Sequence, residues 1–142
     1  MQHRHRLAPV LGLVLGLVSG VLAGCSSAPA PVCPAGLKPV TSAELYFGRA
    51  IPTGGLVSEA DWQRFVDEEV TPRFPDGLTV TDATGQWKGA GGIVHEPSKR
   101  LFVLVSGSSQ DAAKLEAIRQ AYRARFRQES VLLVETPVCG AF

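Results

Sequence analysis

The chain has 142 residues and a mass of 15.1 kDa, with 45% hydrophobic residues, 19% charged residues and a formal net charge of +1. That length holds one domain with a tail and excludes a Rossmann-type dehydrogenase, a TIM barrel or a kinase domain. A near-neutral balance supplies no basic surface for nucleic acid, which is not expected as a partner.

Met1–Arg6 (MQHRHR) is a short basic start, and Leu7–Gly24 follows with 18 uncharged residues. Together they form the n-region and h-region of an export signal, residues 1–24. A retained membrane anchor or a plain signal peptide is the alternative, since the run is long enough to span a bilayer. Leu22-Ala23-Gly24-Cys25 resembles a bacterial lipobox. In that class the cysteine thiol receives a diacylglycerol, the signal is cut before it, and the new amino terminus accepts a further chain such as palmitate. Two or more chains hold a protein on a membrane stably. The implied partner is the membrane, through a lipid on Cys25, and the implied location is the bacterial envelope, facing the periplasm. Ser26, in place of an acid, resembles lipoproteins sent to an outer membrane. Without the signal, Cys25–Phe142 keeps 118 residues, a formal charge of −1 and one histidine, His95.

Residues 25–40 read as a lipidated tether, rich in Pro, Ala and Ser, with too little apolar surface to order itself. The folded domain then spans 41–142. With Cys25 acylated, Cys33 and Cys139 remain, and an oxidising compartment favours a disulfide between them. Two free thiols or an intermolecular bridge are the alternatives.

Glu44–Arg49 is short, aromatic and alternating, which predicts a strand. Ser58 is a good N-cap for a helix that carries Glu59 and Asp61 in its first turn, buries Trp62, Phe65, Val66 and Val70, and stops at Pro72. Leu78–Thr84 alternates as a second strand, and Gly85–Gly92 reads as a glycine-rich turn. Ile93–Val94 and Leu101–Ser106 form strand material interrupted at Pro97. Ser108, Ser109 and Asp111 open a second helix running to about Arg127, with Leu115, Ile118, Tyr122 and Phe126 on one face. Its arginine-rich end suits the helix dipole and reads as a solvated face. Ser130–Thr136 is the last strand, stopped by Pro137. The order β-α-β-β-α-β predicts an α+β, ferredoxin-like two-layer sandwich. In that plan the first and last strands are antiparallel neighbours, which brings Cys33 and Cys139 to one end. Leu101–Val105 and Val131–Val134 are apolar at every position, although a sheet with one wet face should alternate. Either the tether and carboxy-terminal tail cover the second face, or a second subunit does, as in a homodimer.

Several segments carry a family likeness: Leu45-Tyr46-Phe47-Gly48-Arg49, Val57-Ser58-Glu59 with Trp62, and Thr71-Pro72-Arg73-Phe74-Pro75-Asp76-Gly77-Leu78-Thr79. Gly85-Gln86-Trp87, Glu96-Pro97-Ser98-Lys99 and Gln128-Glu129-Ser130-Val131 continue it. The set resembles an uncharacterised family of bacterial lipoproteins, domain of unknown function 3574, over roughly residues 41–140. The resemblance implies no reaction, ligand or catalytic residue.

Familiar catalytic constellations do not occur in the sequence. His95-Glu96 is followed by Pro97 and Lys99 and is not a zinc-binding HExxH pair. One histidine and two bridged cysteines leave no usual transition-metal set, and no cofactor is implied. There is no G-x-S-x-G elbow and no S-x-x-K. The remaining polar residues gather where the helix–sheet layer ends. Asp82 is in phase with Leu78 and Val80 and needs a partner if buried, for which Arg49 and Arg73 are candidates. Gln86, Trp87 and Glu96 flank the glycine turn. One reading is a structural salt bridge with ordinary turn residues. The other is a candidate ligand pocket of Arg49, Arg73, Asp82, Gln86, Trp87 and Glu96, with arginine taking the carboxylate or phosphate of a small anionic ligand. No catalytic residue is assigned. The missing nucleophile–base set favours a non-enzymatic domain that binds a ligand or an envelope protein. The alternative is a small cofactor-free enzyme, isomerase or oxygenase-like, with its pocket between sheet and helices.

Overall fold

The computed structural model describes residues 31–89 and 91–141. The leader read at 1–24 and the lipidation of Cys25 lie outside the described residues. Four strands, β1 (Lys38–Gly48), β2 (Thr79–Gly89), β3 (Gly92–Val105) and β4 (Leu132–Gly140), form one antiparallel sheet in the order β2-β3-β1-β4. Helix α1 (Glu59–Phe65), continued by a π-helical turn (Val66–Val70), follows β1, and helix α2 (Ser109–Phe126) follows β3. This is the ferredoxin-like plan.

The helices start where their caps predict. The hydroxyls of Ser58 and Ser108 accept the backbone N–H of Asp61 and Asp111, each at 3.1 Å. Trp62, Phe65, Val66 and Val70 are buried, as are Leu115, Ile118, Tyr122 and Phe126. They pack on Ala43, Leu45 and Phe47 of β1 and Leu101, Val103 and Val105 of β3. The centre is aromatic: Tyr122 lies 4.8 Å from Phe47, 5.0 Å from Phe65 and 4.8 Å from Phe126, centroid to centroid. Its hydroxyl donates to the Gly48 carbonyl at 2.9 Å and ties α2 to the end of β1. The arginine-rich end of α2 is less solvated than its composition suggests. Arg125 pairs with Glu68 at 2.9 Å and lies over the Phe65 ring at 5.6 Å, and Arg119 donates to the Val131 carbonyl at 2.9 Å.

Three boundaries differ from the sequence reading. First, β1 begins at Lys38, within the stretch read as tether, because Lys38–Val40 pair with Val138–Gly140. Second, Pro97 and Pro137 lie inside strands. Pro137 sits on the edge strand β4. Pro97 falls just beyond the last β1–β3 pair, Gly48↔Ser98, where no ladder needs its N–H, and its carbonyl accepts the N–H of Arg49 at 3.0 Å. Third, the glycine-rich stretch is mostly strand, since β2 and β3 stay paired out to Gly89↔Gly92.

Cys33 and Cys139 form the disulfide, with Cα atoms 5.5 Å apart and a sequence separation of 106. It stands at the Lys38/Gly140 end of the sheet. On the face away from the helices, a Cβ on Gly140 would come within 2.9 Å of Val40 and 3.3 Å of Leu104. Leu132 and Val134 on the same face stay 57% and 41% exposed.

Candidate functional site

The sequence reading gathered six residues at one site, and the fold separates them. Asp82 shares a sheet face with Val80 but lies beyond the cover of the helices, 82% exposed, and its partner is Lys99 at 2.6 Å. Lys99 also holds Glu59 at 2.8 Å. Burial pulls the Lys99 ammonium down, but the hydrogen bonds it donates to Asp82 and Glu59 outweigh it, so its pKa lies above the ordinary lysine value. The same bond to Lys99 holds Asp82 below the ordinary range. Arg49 turns to the Val57 carbonyl at 2.8 Å and to Glu59 at 3.4 Å, and Arg73 pairs with Glu69 at 2.9 Å, one turn back in the chain. Neither pairs with Asp82. Asp82, Lys99, Glu59 and Arg49 form a structural ion network on the helix side of the sheet.

The other three residues, Gln86, Trp87 and Glu96, line a cavity of about 290 Å³. It does not lie between sheet and helices, where aromatic side chains fill the space. It opens on the opposite face of the sheet, because strand alternation places Tyr46 and Gly48 opposite the buried Leu45 and Phe47. Its floor is made of small residues on three adjacent strands: Ala83 and Gly85 of β2, Ser98 of β3 and Gly48 of β1. Its two glycines leave space there that a side chain would take. A Cβ on Gly85 would stand 2.7 Å from the Ser98 hydroxyl, and one on Gly48 would stand 2.5 to 2.8 Å from the Glu96 carboxylate atoms. Trp87, Tyr46 and Leu132 form walls, and Gln128–Ser130, between α2 and β4, closes one side.

Glu96 is the buried acid of this hollow, 9% exposed. Its Oε2 accepts the N–H of Ala50 at 2.8 Å, while the Ala50 carbonyl accepts the side-chain N–H of Gln128 at 2.7 Å. The segment leaving β1 is thereby pinned between β3 and the end of α2. The helix turns toward this position through Arg127, which takes the left-handed conformation (φ 55°) at the C-cap. Among the described residues no lysine or arginine lines the cavity, and a second carboxylate, Glu129, stands at its exposed rim.

Beside the hollow, Glu44 accepts the Tyr46 hydroxyl at 2.6 Å and Arg100 Nε at 2.8 Å. The Arg100 bond first, and the Tyr46 bond second, hold Glu44 at about 2. The Tyr46 phenol is raised chiefly by its bond to that carboxylate.

Sequence reasoning missed Tyr46, Gly48, Ser98, Gln128 and Leu132 as lining residues. The signal was available in strand parity: each strand residue among them falls on the face opposite the core. Among the described residues no group of three His, Cys, Asp or Glu side chains converges, and no helix is long and apolar enough to cross a membrane.

Comparison with known proteins agrees with this fold. A phage SAM lyase in complex with S-methyl-5'-thioadenosine aligns with a TM-score of 0.58 at 18% identity, covering 69% of this chain and 81% of the lyase. Its apo form gives 0.55 at 18%, covering 72% and 86%. CutA from Synechococcus elongatus PCC7942 gives 0.47 at 12%, covering 72% and 80%. At 18% identity the likeness to the lyase is one of fold. No curated protein matches the sequence. The model of a family described as protein of unknown function (DUF3574) matches residues 42–142, nearly the whole described domain, and the chain belongs to that family.

Proposed function

We propose that the protein is a lipid-anchored domain of the bacterial envelope that binds a small molecule in the hollow on the outer face of its sheet. The observation that carries this reading is the hollow itself. Gly48 and Gly85 strip its floor of side chains, and a buried carboxylate stands in it. The lipobox-like Leu22-Ala23-Gly24-Cys25 supports the anchor. Cys33 lies eight positions after Cys25, a reach of about 28 Å when extended. The disulfide stands at one end of β1 and the hollow at the other, about 34 Å apart along the strand. A lipid on Cys25 thus leaves the hollow open to the periplasm rather than pressed on the bilayer.

A native mass spectrum of the protein exported to a periplasm, recorded without reductant, tests the binding reading. The expected result is an adduct of one small, constant mass that disappears in Ala83→Leu, which fills the floor of the hollow and leaves Glu96 in the sequence. A bare chain in both forms refutes it. Loss of radiolabelled palmitate from Cys25→Ser tests the anchor, and equal labelling of both forms refutes it. The second reading, a small cofactor-free enzyme, uses the same hollow with Glu96 as acid or base, and the fold shared with a lyase favours it by analogy. An adduct that changes mass on incubation would distinguish it from simple binding.

A further inference from the structure

We infer that the occupant of the hollow is a small organic cation, an ammonium group carried on a flat or apolar body. This rests on the binding reading above and adds the class of ligand. Glu96 is nine-tenths buried, and its carboxylate is pressed against bare backbone at Gly48. Oε2 is occupied by the Ala50 N–H at 2.8 Å, while Oε1 receives no hydrogen bond from the described residues. That oxygen is not sealed from water, since no side-chain oxygen of the described residues is both buried and unpartnered, and so it is open to a donor that enters the hollow, best a charged one.

The described residues bring no such donor. Lys99, three residues after Glu96, is drawn to the other face of the sheet by Asp82 and Glu59, and Arg49, next to Gly48, by the Val57 carbonyl and Glu59. Arg100, the cation on the outer face of β3, is taken by Glu44. The lining therefore carries two carboxylates and no positive side chain. An ammonium ligand would supply the missing charge-assisted hydrogen bond. Trp87, 40% exposed, and Tyr46 offer ring surface to an apolar body and a negative ring face to the cation. The same charge pattern repels the small anion that the arginines suggested in the sequence.

Glu96 also serves the fold by pinning Ala50, so the test separates charge from structure. A soluble form, residues 25–142 with Cys25→Ser, is titrated at pH 7 with three compounds of matched body: 2-phenylethylammonium, 2-phenylethanol and 3-phenylpropionate. Amide and indole N–H shifts of Gly48, Gly85, Ser98 and Trp87 report binding. The amine should bind about ten-fold or more tightly than the alcohol, with the carboxylate weakest. Glu96→Gln can still accept the Ala50 N–H and should bring the amine down to the level of the alcohol. Equal binding of all three compounds overturns the cation assignment and leaves the binding reading standing. No shift at these residues with any compound overturns both. The ranking of the three compounds on the unsubstituted protein decides the matter even if the Gln variant does not fold.

Discussion

Gly48→Ala tests the construction of the hollow directly. Gly48 has no positive φ, so alanine brings no backbone strain. Its methyl would, however, stand 2.5 Å from Glu96 Oε1 and 2.8 Å from the carboxyl carbon. The carboxylate must swing away and give up the Ala50 N–H. Losing a hydrogen bond to a charged acceptor costs about 1.5–3 kcal/mol. Replacing glycine in a strand returns about 0.5–1 kcal/mol. The net loss is about 1–2 kcal/mol, or a fall in Tm of roughly 4–16 °C for a domain of this size. The assay is thermal unfolding of the oxidised protein followed by near-ultraviolet circular dichroism. The same substitution in a Glu96→Ala background has no carboxylate to displace and should raise stability by about 0.5–1 kcal/mol. That reversal of sign is the signature of the contact. An equal loss in both backgrounds, or no loss in the first, would refute it.

Acid should weaken the fold through Glu44. Its pKa falls from the ordinary 4.5 to about 2 on folding, so it contributes stability that is present above 4.5 and lost as pH falls toward 2. Urea midpoints measured from pH 6 to pH 2 should drop over that window, and Glu44→Gln should flatten the drop. Reducing the disulfide, which closes a loop of 106 residues, should remove up to about 4.7 kcal/mol, read as a lower urea midpoint in dithiothreitol. Tyr122→Phe leaves the Gly48 carbonyl without its side-chain donor and should cost about 0.5–1.5 kcal/mol by the same measurement, with the aromatic packing intact.

The fold was legible because its signals are local and agree with one another. Ser58 and Ser108 cap the helices, the 3.6-residue stripes select their buried faces, and Cys33 and Cys139 meet where the strand order brings them. The prolines misled because a strand tolerates one wherever no neighbour needs the N–H, and that depends on where β1 ends and which strand is the edge. The glycines of Gly85–Gly92 misled for a related reason: Gly85 marks a close approach to Ser98 rather than a reversal of the chain. Gln86, Trp87 and Glu96 line the hollow because β2 and β3 pair beside it. Arg49 and Asp82 were misplaced because phase along a strand tells which face a residue takes, not how far the helices extend over that face, and Arg73, in the turn after the first helix, is held locally by Glu69. Tyr46, Gly48 and Gln128 come together only through pairing between strands distant in sequence, which no single segment encodes.

The sulfur bridge also decides how the molecule meets mechanical load. A pull between the amino-terminal segment and the carboxy terminus travels through Cys33 and Cys139 and bypasses residues 34–138. Tension of that kind leaves the sheet, both helices and the hollow slack. Only after reduction would the same pull run through Pro39 and Val138 and drag β1 and β4 apart from the ends they share.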